Sequence, residues 1–431
     1  MIEIQNKFFK IFSSIVIIKI SIMISIFLSN LLLARYLKTS EFGIYNYILV
    51  IINIFSPILD LGISQIMIRE LNNKSTFKNE IMTSSFIIRG VGSFLSIFIF
   101  YILLIKYDFK EIDKKYLLII IPILILRFTE IFRYVFEGMG KFIYSYIPQL
   151  ISSIFSLIFI IFWTKLNKDF FWFIWLKLIE EGIMALLYLK LFLLTEKKYK
   201  INLNRNRINF MIKDAIPLLF SGIAMILYLK VDQLMIGKML GIEKIAFYSV
   251  GVRIAEMWYF IPTIIASIYY PKLIRLFHEK KENYFTIKKE LYFIEIFLSI
   301  FFAVVITLFS SELIRLFYGE KYIESYKILN VYVWAGVPFS LLSATSKVLI
   351  LNKKMKEIFY RSIITGILNI ILNYFFIKKF GVIGAAYSTF ISYCFIIISL
   401  LFIGCKEEIR DIFLSIVTLK NILTFLNKEK K

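Results

Sequence analysis

The stretch IFSSIVIIKISIMISIFLSNLLLA, residues 11–34, carries one charge, Lys19, in a run that is otherwise apolar or small and polar. The hydrocarbon layer of a membrane is about 30 Å thick, and a helix rising about 1.5 Å per residue crosses it in about 20 residues. Residues 11–34 therefore read as one membrane span. Comparable stretches follow at 42–66, 81–105, 116–137, 142–164, 170–194, 208–236, 245–270, 290–311, 325–350, 358–377 and 382–404. Barrel strands would show short alternating segments, so helices are the remaining way to satisfy the backbone in lipid. The chain has 431 residues, of which 59% are hydrophobic, more than a soluble fold can bury. The reading is an all-α polytopic membrane protein with about 12 transmembrane helices.

The first span follows Lys7 and Lys10 in the manner of a signal sequence. Its apolar region is too long for one and no small-residue cleavage site follows, which predicts an uncleaved first helix. A formal charge of +22 could suggest nucleic acid, but in a membrane protein the position of each base matters more. With both termini on the cytoplasmic side, the cytoplasmic segments hold more than half of the 52 basic residues, Arg361 counted among them. This asymmetry favours that orientation and leaves nucleic acid without a role. Cys394 and Cys405 have no disulfide or metal spacing, and the one histidine, His278, falls in a charged loop. No metal site, cofactor or catalytic group is expected from them.

The polar segment from Glu196 to Lys213 divides the spans into two groups of six. The expected divisions are residues 1–200, residues 201–404, and a cytoplasmic tail at 405–431. Arg35-Tyr-Leu-Lys-Thr-Ser-Glu-Phe-Gly-Ile-Tyr45 aligns without gaps with Lys238-Met-Leu-Gly-Ile-Glu-Lys-Ile-Ala-Phe-Tyr248, at the same point of each group, which suggests a repeat. An even number of spans per half gives both halves the same orientation. In the tail, Ile409, Ile412, Phe413, Ile416, Leu419, Leu423 and Leu426 recur at helical spacing among charges, the pattern of a helix lying in the interface.

Charges inside the spans are expensive, about 2.5 to 3.5 kcal/mol at mid-helix on insertion scales, so each needs a partner or water. Arg127 with Glu130, Arg133 with Glu137, Lys177 with Glu181 and Arg253 with Glu256 are spaced to pair along one helix. Lys190 is near a helix end and can extend to the interface. Lys19, Arg89 and Lys347 have no acid three or four positions away, and Lys230 and Asp232, two apart, point in different directions. These cations, distributed over both halves, suit an anion such as phosphate in a central cavity. Lys19, Arg89, Lys230 and Lys347 are the first candidates for substrate binding, followed by Arg127 and Arg253. Asp60, Asp232, Glu256 and Glu295 could carry a coupling proton or sodium ion.

Several stretches together resemble the polysaccharide flippases, exporters of O-antigen and capsule repeat units within the multidrug, oligosaccharidyl-lipid and polysaccharide exporter superfamily. They are Leu33 to Tyr45, Asp60-Leu-Gly-Ile63 with Arg69-Glu70, Val231 to Gly241 continuing through Tyr248-Ser-Val-Gly-Val-Arg253 to Pro262 and Pro271, Phe317-Tyr-Gly-Glu-Lys-Tyr322, and Gly381-Val-Ile-Gly-Ala-Ala386. The resemblance implies two six-helix bundles around a central cleft, in the bacterial inner membrane. It further implies a polyprenyl-pyrophosphate-linked oligosaccharide as substrate, moved to the outer leaflet by alternating access. A polysaccharide polymerase complex is the partner such a role suggests, beside the lipid bilayer itself. No enzyme activity is expected.

The rival within the superfamily is a cation-coupled multidrug antiporter, which would favour a carboxylate-rich pocket. A peptidoglycan-precursor flippase usually has two further spans. A membrane polysaccharide polymerase, ligase or glycosyltransferase would need a sizeable extramembrane loop with catalytic groups, and every outer loop here is short.

Overall fold

The computed structural model describes residues 2–73, 77–107, 109, 111–279, 283–402 and 404–417, without the side chains of 2–13, 73, 278 and 417. Among the described residues every regular element is helical. Contacts divide the chain into two compact units, Met1–Ile226 and Leu227–Lys431.

The first unit contains α1 (Ile2–Tyr36), α2 (Thr39–Asp60), α3 (Ile63–Asn73), α4 (Lys78–Lys106), α5 (Lys114–Leu117), α6 (Ile120–Leu126), α7 (Ile131–Gly138), α8 (Phe142–Lys165), α9 (Phe170–Thr195) and the beginning of α10 (Arg205–Leu240). The second contains the rest of α10, then α11 (Ile242–Glu256), α12 (Phe260–His278), α13 (Asn283–Leu308), α14 (Ser310–Tyr318), α15 (Ser325–Tyr332), α16 (Gly336–Leu351), α17 (Met355–Phe380), α18 (Val382–Ile398) and α19 (Lys406–Val417). The two aligned stretches both straddle a helix break, one between α1 and α2 and the other at Gly241 between α10 and α11. His278 ends α12 instead of lying in a loop.

Ten segments among the described residues are long and apolar enough to cross a membrane. The two expected spans missing from that set differ from the others for separate reasons. Residues 170–194 do form one unbroken helix, α9, but it carries Lys177, Glu180, Glu181 and Lys190. Residues 116–137 are broken into α5, α6, a 3-10 turn at Arg127–Glu130, and α7. The turn has an external cause, because Arg89 of α4 donates to the carbonyls of Arg127 (2.9 Å) and Phe128 (3.2 Å). Carbonyls drawn toward a guanidinium are less available to the α-helical ladder, and the tighter winding follows.

Large apolar side chains are exposed along the helices and small polar ones are buried among the apolar core, as expected when lipid replaces water as the solvent. On α4 the buried face holds Ser84, Ser85, Arg89, Gly92, Ser93 and Ser96, while Phe94, Phe98, Tyr101 and Ile105 are exposed. Small residues also set the closest approaches. Gly384 of α18 lies where a Cβ would meet the α17 backbone at Phe376. Gly62 has a φ of +74°, turns the chain from α2 into α3, and lies against the α10 backbone at Ala215.

Candidate functional site

In the first unit, α2, α4, the 3-10 turn and α9 bring charged side chains together through spacing that no single helix reveals. Arg89, 1% exposed, pairs with Asp60 at 2.7 Å and Glu130 at 3.1 Å. Asp60 also accepts from the Ser64 hydroxyl at 2.9 Å. Arg127 pairs with Glu181 at 3.1 Å and donates to Ser56 Oγ at 3.1 Å. Lys177 reaches both Glu180 and Glu181 at 3.2 Å. Arg133 lies 3.6 Å from Glu137, donates to the Tyr134 hydroxyl, and places its guanidinium 4.5 Å from the Tyr134 ring centre. Four bases and five carboxylates thus pair with one another, while Arg127 Nε, Arg133 Nε and Glu181 Oε2 are buried without a hydrogen-bond partner.

This corrects three expectations. Arg89 is not an available cation, since acids from α2 and the 3-10 turn neutralise it. Arg127 does not pair with Glu130, because each finds a better-placed partner on another helix. Arg253 and Glu256 form no ion pair. Glu256, the last residue of α11, accepts instead from the Tyr332 hydroxyl at 3.0 Å. The pairs Arg133–Glu137 and Lys177–Glu181 do form along their helices.

Lys19, Lys230, Arg253 and Lys347 have no ion pair among the described residues. Lys19 is exposed and lies 4.6 Å from the Tyr146 ring centre. Lys347 is half-buried and lies 5.2 Å from that of Tyr270. Lys230 and Arg253 are half-buried as well, and Lys190 is exposed at the end of α9.

The second unit distributes its acids differently. Asp232, 2% exposed, accepts a short hydrogen bond from the Tyr248 hydroxyl and another from the Gln233 backbone N–H at 2.7 Å. Buried amides and hydroxyls join α17 to α18: Asn369 Nδ2 donates to Ser392 Oγ at 3.3 Å and Ser388 Oγ donates to the Asn369 carbonyl at 3.1 Å, while within α17 Asn373 Nδ2 donates to Asn369 Oδ1 at 2.9 Å. Asn373 Oδ1 is buried without a hydrogen-bond partner. Glu295, 1% exposed, has neither carboxylate oxygen hydrogen-bonded.

Two features escaped the sequence reading. Arg361, counted with the cytoplasmic bases, is buried within α17. Asn369 and Asn373 stand four apart in an otherwise apolar run, a polar helix face that the spacing alone could have flagged. Outside this core, Arg69 pairs with Asp214 at 2.6 Å and with Glu70 at 3.2 Å. The Asp214 bond holds the Arg69 guanidinium above its ordinary range. A polar cavity of about 330 Å³, lined by Lys78, Glu80, Glu196 and Tyr199 among others, contains none of the candidate residues.

A profile of the family described as "Polysaccharide biosynthesis protein" matches residues 32–327. No curated protein matches the sequence. Among solved structures, the fold is similar to the lipid II flippase MurJ in an inward closed conformation, with TM-score 0.71 and 20% identity over 95% of this chain and 92% of that one. It is also similar to a multidrug resistance MATE family transporter of the MOP superfamily, inward-facing, with TM-score 0.70 and 14% identity over 92% and 94%. A MOP superfamily transporter from Pyrococcus furiosus gives TM-score 0.61 and 14% identity over 95% and 96%. At these identities the likeness concerns the fold.

Proposed function

The chain belongs to the polysaccharide biosynthesis protein family, and from that premise we propose that it is a flippase of the bacterial inner membrane. Its substrate is a polyprenyl-pyrophosphate-linked oligosaccharide, the repeat unit of an O-antigen or capsule, carried by alternating access. Both termini are on the cytoplasmic side, and a polysaccharide polymerase consumes the product.

The observation that supports an anionic headgroup is the set of span residues Lys19, Lys230, Arg253 and Lys347, each without an ion pair among the described residues. An ammonium or guanidinium in that state offers charge-assisted donors to phosphate oxygens. Arg89 and Arg127 take another role in this proposal, fixing the helices of the first unit. Asp232 is the leading candidate to bind a coupling proton or sodium ion, because its hydrogen-bond partners are the neutral Tyr248 hydroxyl and Gln233 backbone N–H and no base forms an ion pair with it. Glu256 and Glu295 follow, and Asp60 is committed to Arg89.

Lys230→Ala and Lys347→Ala, singly and together, are expected to lower surface polysaccharide at least tenfold, with accumulation of the lipid-linked precursor and unchanged protein in the membrane. Unchanged polysaccharide in the quadruple variant that adds Lys19→Ala and Arg253→Ala would remove the anion-binding reading. One observation favours the antiporter alternative, namely the slight acid excess of the first unit's network. Efflux of a lipophilic cation that disappears in Glu180→Gln would decide for it.

A further inference from the structure

Arg361 is the largest charge in the second unit that the flippase reading leaves unused. Its side chain is 1% exposed, on the second turn of α17. Nη1 donates to Thr345 Oγ1 at 3.2 Å and Nη2 to Ser346 Oγ at 2.8 Å. Both hydroxyls pass their own protons to α16 backbone carbonyls, Thr345 to Leu341 at 2.7 Å and Ser346 to Leu342 at 2.6 Å. Every partner is therefore neutral, and among the described residues no carboxylate pairs with this guanidinium. An arginine keeps its proton in proteins, so a full positive charge stands in the interior without a counter-charge. Removing such a charge from water costs several kcal/mol unless something opposite in sign compensates it.

A second observation shows where the compensation belongs. Arg361 Nε is buried and has no hydrogen-bond partner. Thr365 Oγ1, one helical turn further along the same face of α17, is likewise fully buried and unpartnered. Two orphaned donors on successive turns can converge on a single atom between them. With Arg361 and Thr365 both closed off from the surface, a sugar-bearing headgroup has no way in unless the helices part.

We propose that the second unit holds a small inorganic anion of halide size beside Arg361, donated to by Arg361 Nε and Thr365 Oγ1. The ion neutralises the guanidinium whose Nη1 and Nη2 tie α17 to Thr345 and Ser346 of α16, as carboxylates neutralise the buried arginines of the first unit. This proposal does not depend on the flippase reading, since it concerns stability and not transport.

The test uses the purified full chain in lipid nanodiscs, with sodium and ionic strength fixed and gluconate replaced by chloride or bromide. The thermal midpoint is expected to rise with either halide in the wild type. Arg361→Met and Thr365→Val are each expected to lose that rise, and bromide is expected to give an anomalous-scattering peak next to residue 361. Identical midpoints in gluconate, chloride and bromide would overturn the proposal, as would an undiminished halide response in Thr365→Val. Stabilisation by inorganic phosphate but not by halide would also overturn it, indicating a phosphate-type ligand instead. Should Arg361→Met fail to fold, the wild-type ion series and Thr365→Val still decide.

Discussion

Arg89 donates to carboxylates of two other elements and to two backbone carbonyls, so its removal leaves four acceptors in lipid-shielded surroundings. Breaking a buried pair from one side costs about 3–5 kcal/mol. Arg89→Met is expected to lower the thermal midpoint of the purified protein markedly, whereas Lys19→Ala, at an exposed site, leaves it nearly unchanged. Arg89→Lys should not rescue, because an ammonium cannot reproduce the planar fork. Similar midpoints for Arg89→Met and wild type would show that the network contributes little. The same residue shows what spacing could and could not reveal. Arg133–Glu137 and Lys177–Glu181 were legible because both partners lie on one regular helix. Arg89 looked unpartnered because its acids are 29 and 41 positions away in sequence. Arg361 was misjudged because it lies close to the basic turn before α17, and proximity to a loop was taken for exposure.

At the scale of elements, the tail helix combines two anchoring modes. Lys288 of α13 pairs with Glu408 at 3.3 Å and also with Asp411, and Tyr292 donates to Glu408 at 2.6 Å. All four groups are buried, while Phe413 and Ile416 of α19 are exposed. The apolar spacing at 409–416 announced the helix, of whose apolar positions Ile412 is buried in the core and Phe413 and Ile416 are exposed. The buried acidic face was invisible, since it acquires meaning only from Lys288. Leu419, Leu423 and Leu426 lie outside the described residues. Lys288→Met strands two carboxylates and should loosen α19 by about 3–5 kcal/mol. Hydrogen exchange of Lys406–Val417 is then expected to quicken at least a hundredfold, and exchange as slow as in the wild type would contradict the docking. The broken segment 114–138 gave a parallel lesson: hydropathy found its length, and the tertiary contact from Arg89 determined its winding.

At the scale of the whole molecule, hydropathy alone made the polytopic helical class legible, because twenty apolar residues in a row have few other fates. The orientation proposed from lysine and arginine asymmetry can be checked with reporters. A fluorescent protein fused after the tail should fluoresce and alkaline phosphatase at the same point should be inactive, and the opposite result would invert the topology. The two units also differ in how they hold ions. The first unit opposes each buried base with an acid, and the second does so at Lys288, whereas Asp232, Glu256, Glu295, Lys230, Arg253 and Lys347 in the second form no ion pair among the described residues. Paired charges move through an electric field as dipoles and perform little net work, while isolated ones are displaced at about 2.3 kcal/mol per elementary charge for each 100 mV crossed. The second unit is therefore expected to contribute the larger share of any response to voltage. If the protein transports as proposed, clamping proteoliposomes with a potassium diffusion potential should change the transport rate severalfold, and neutralising Lys347 should flatten that response.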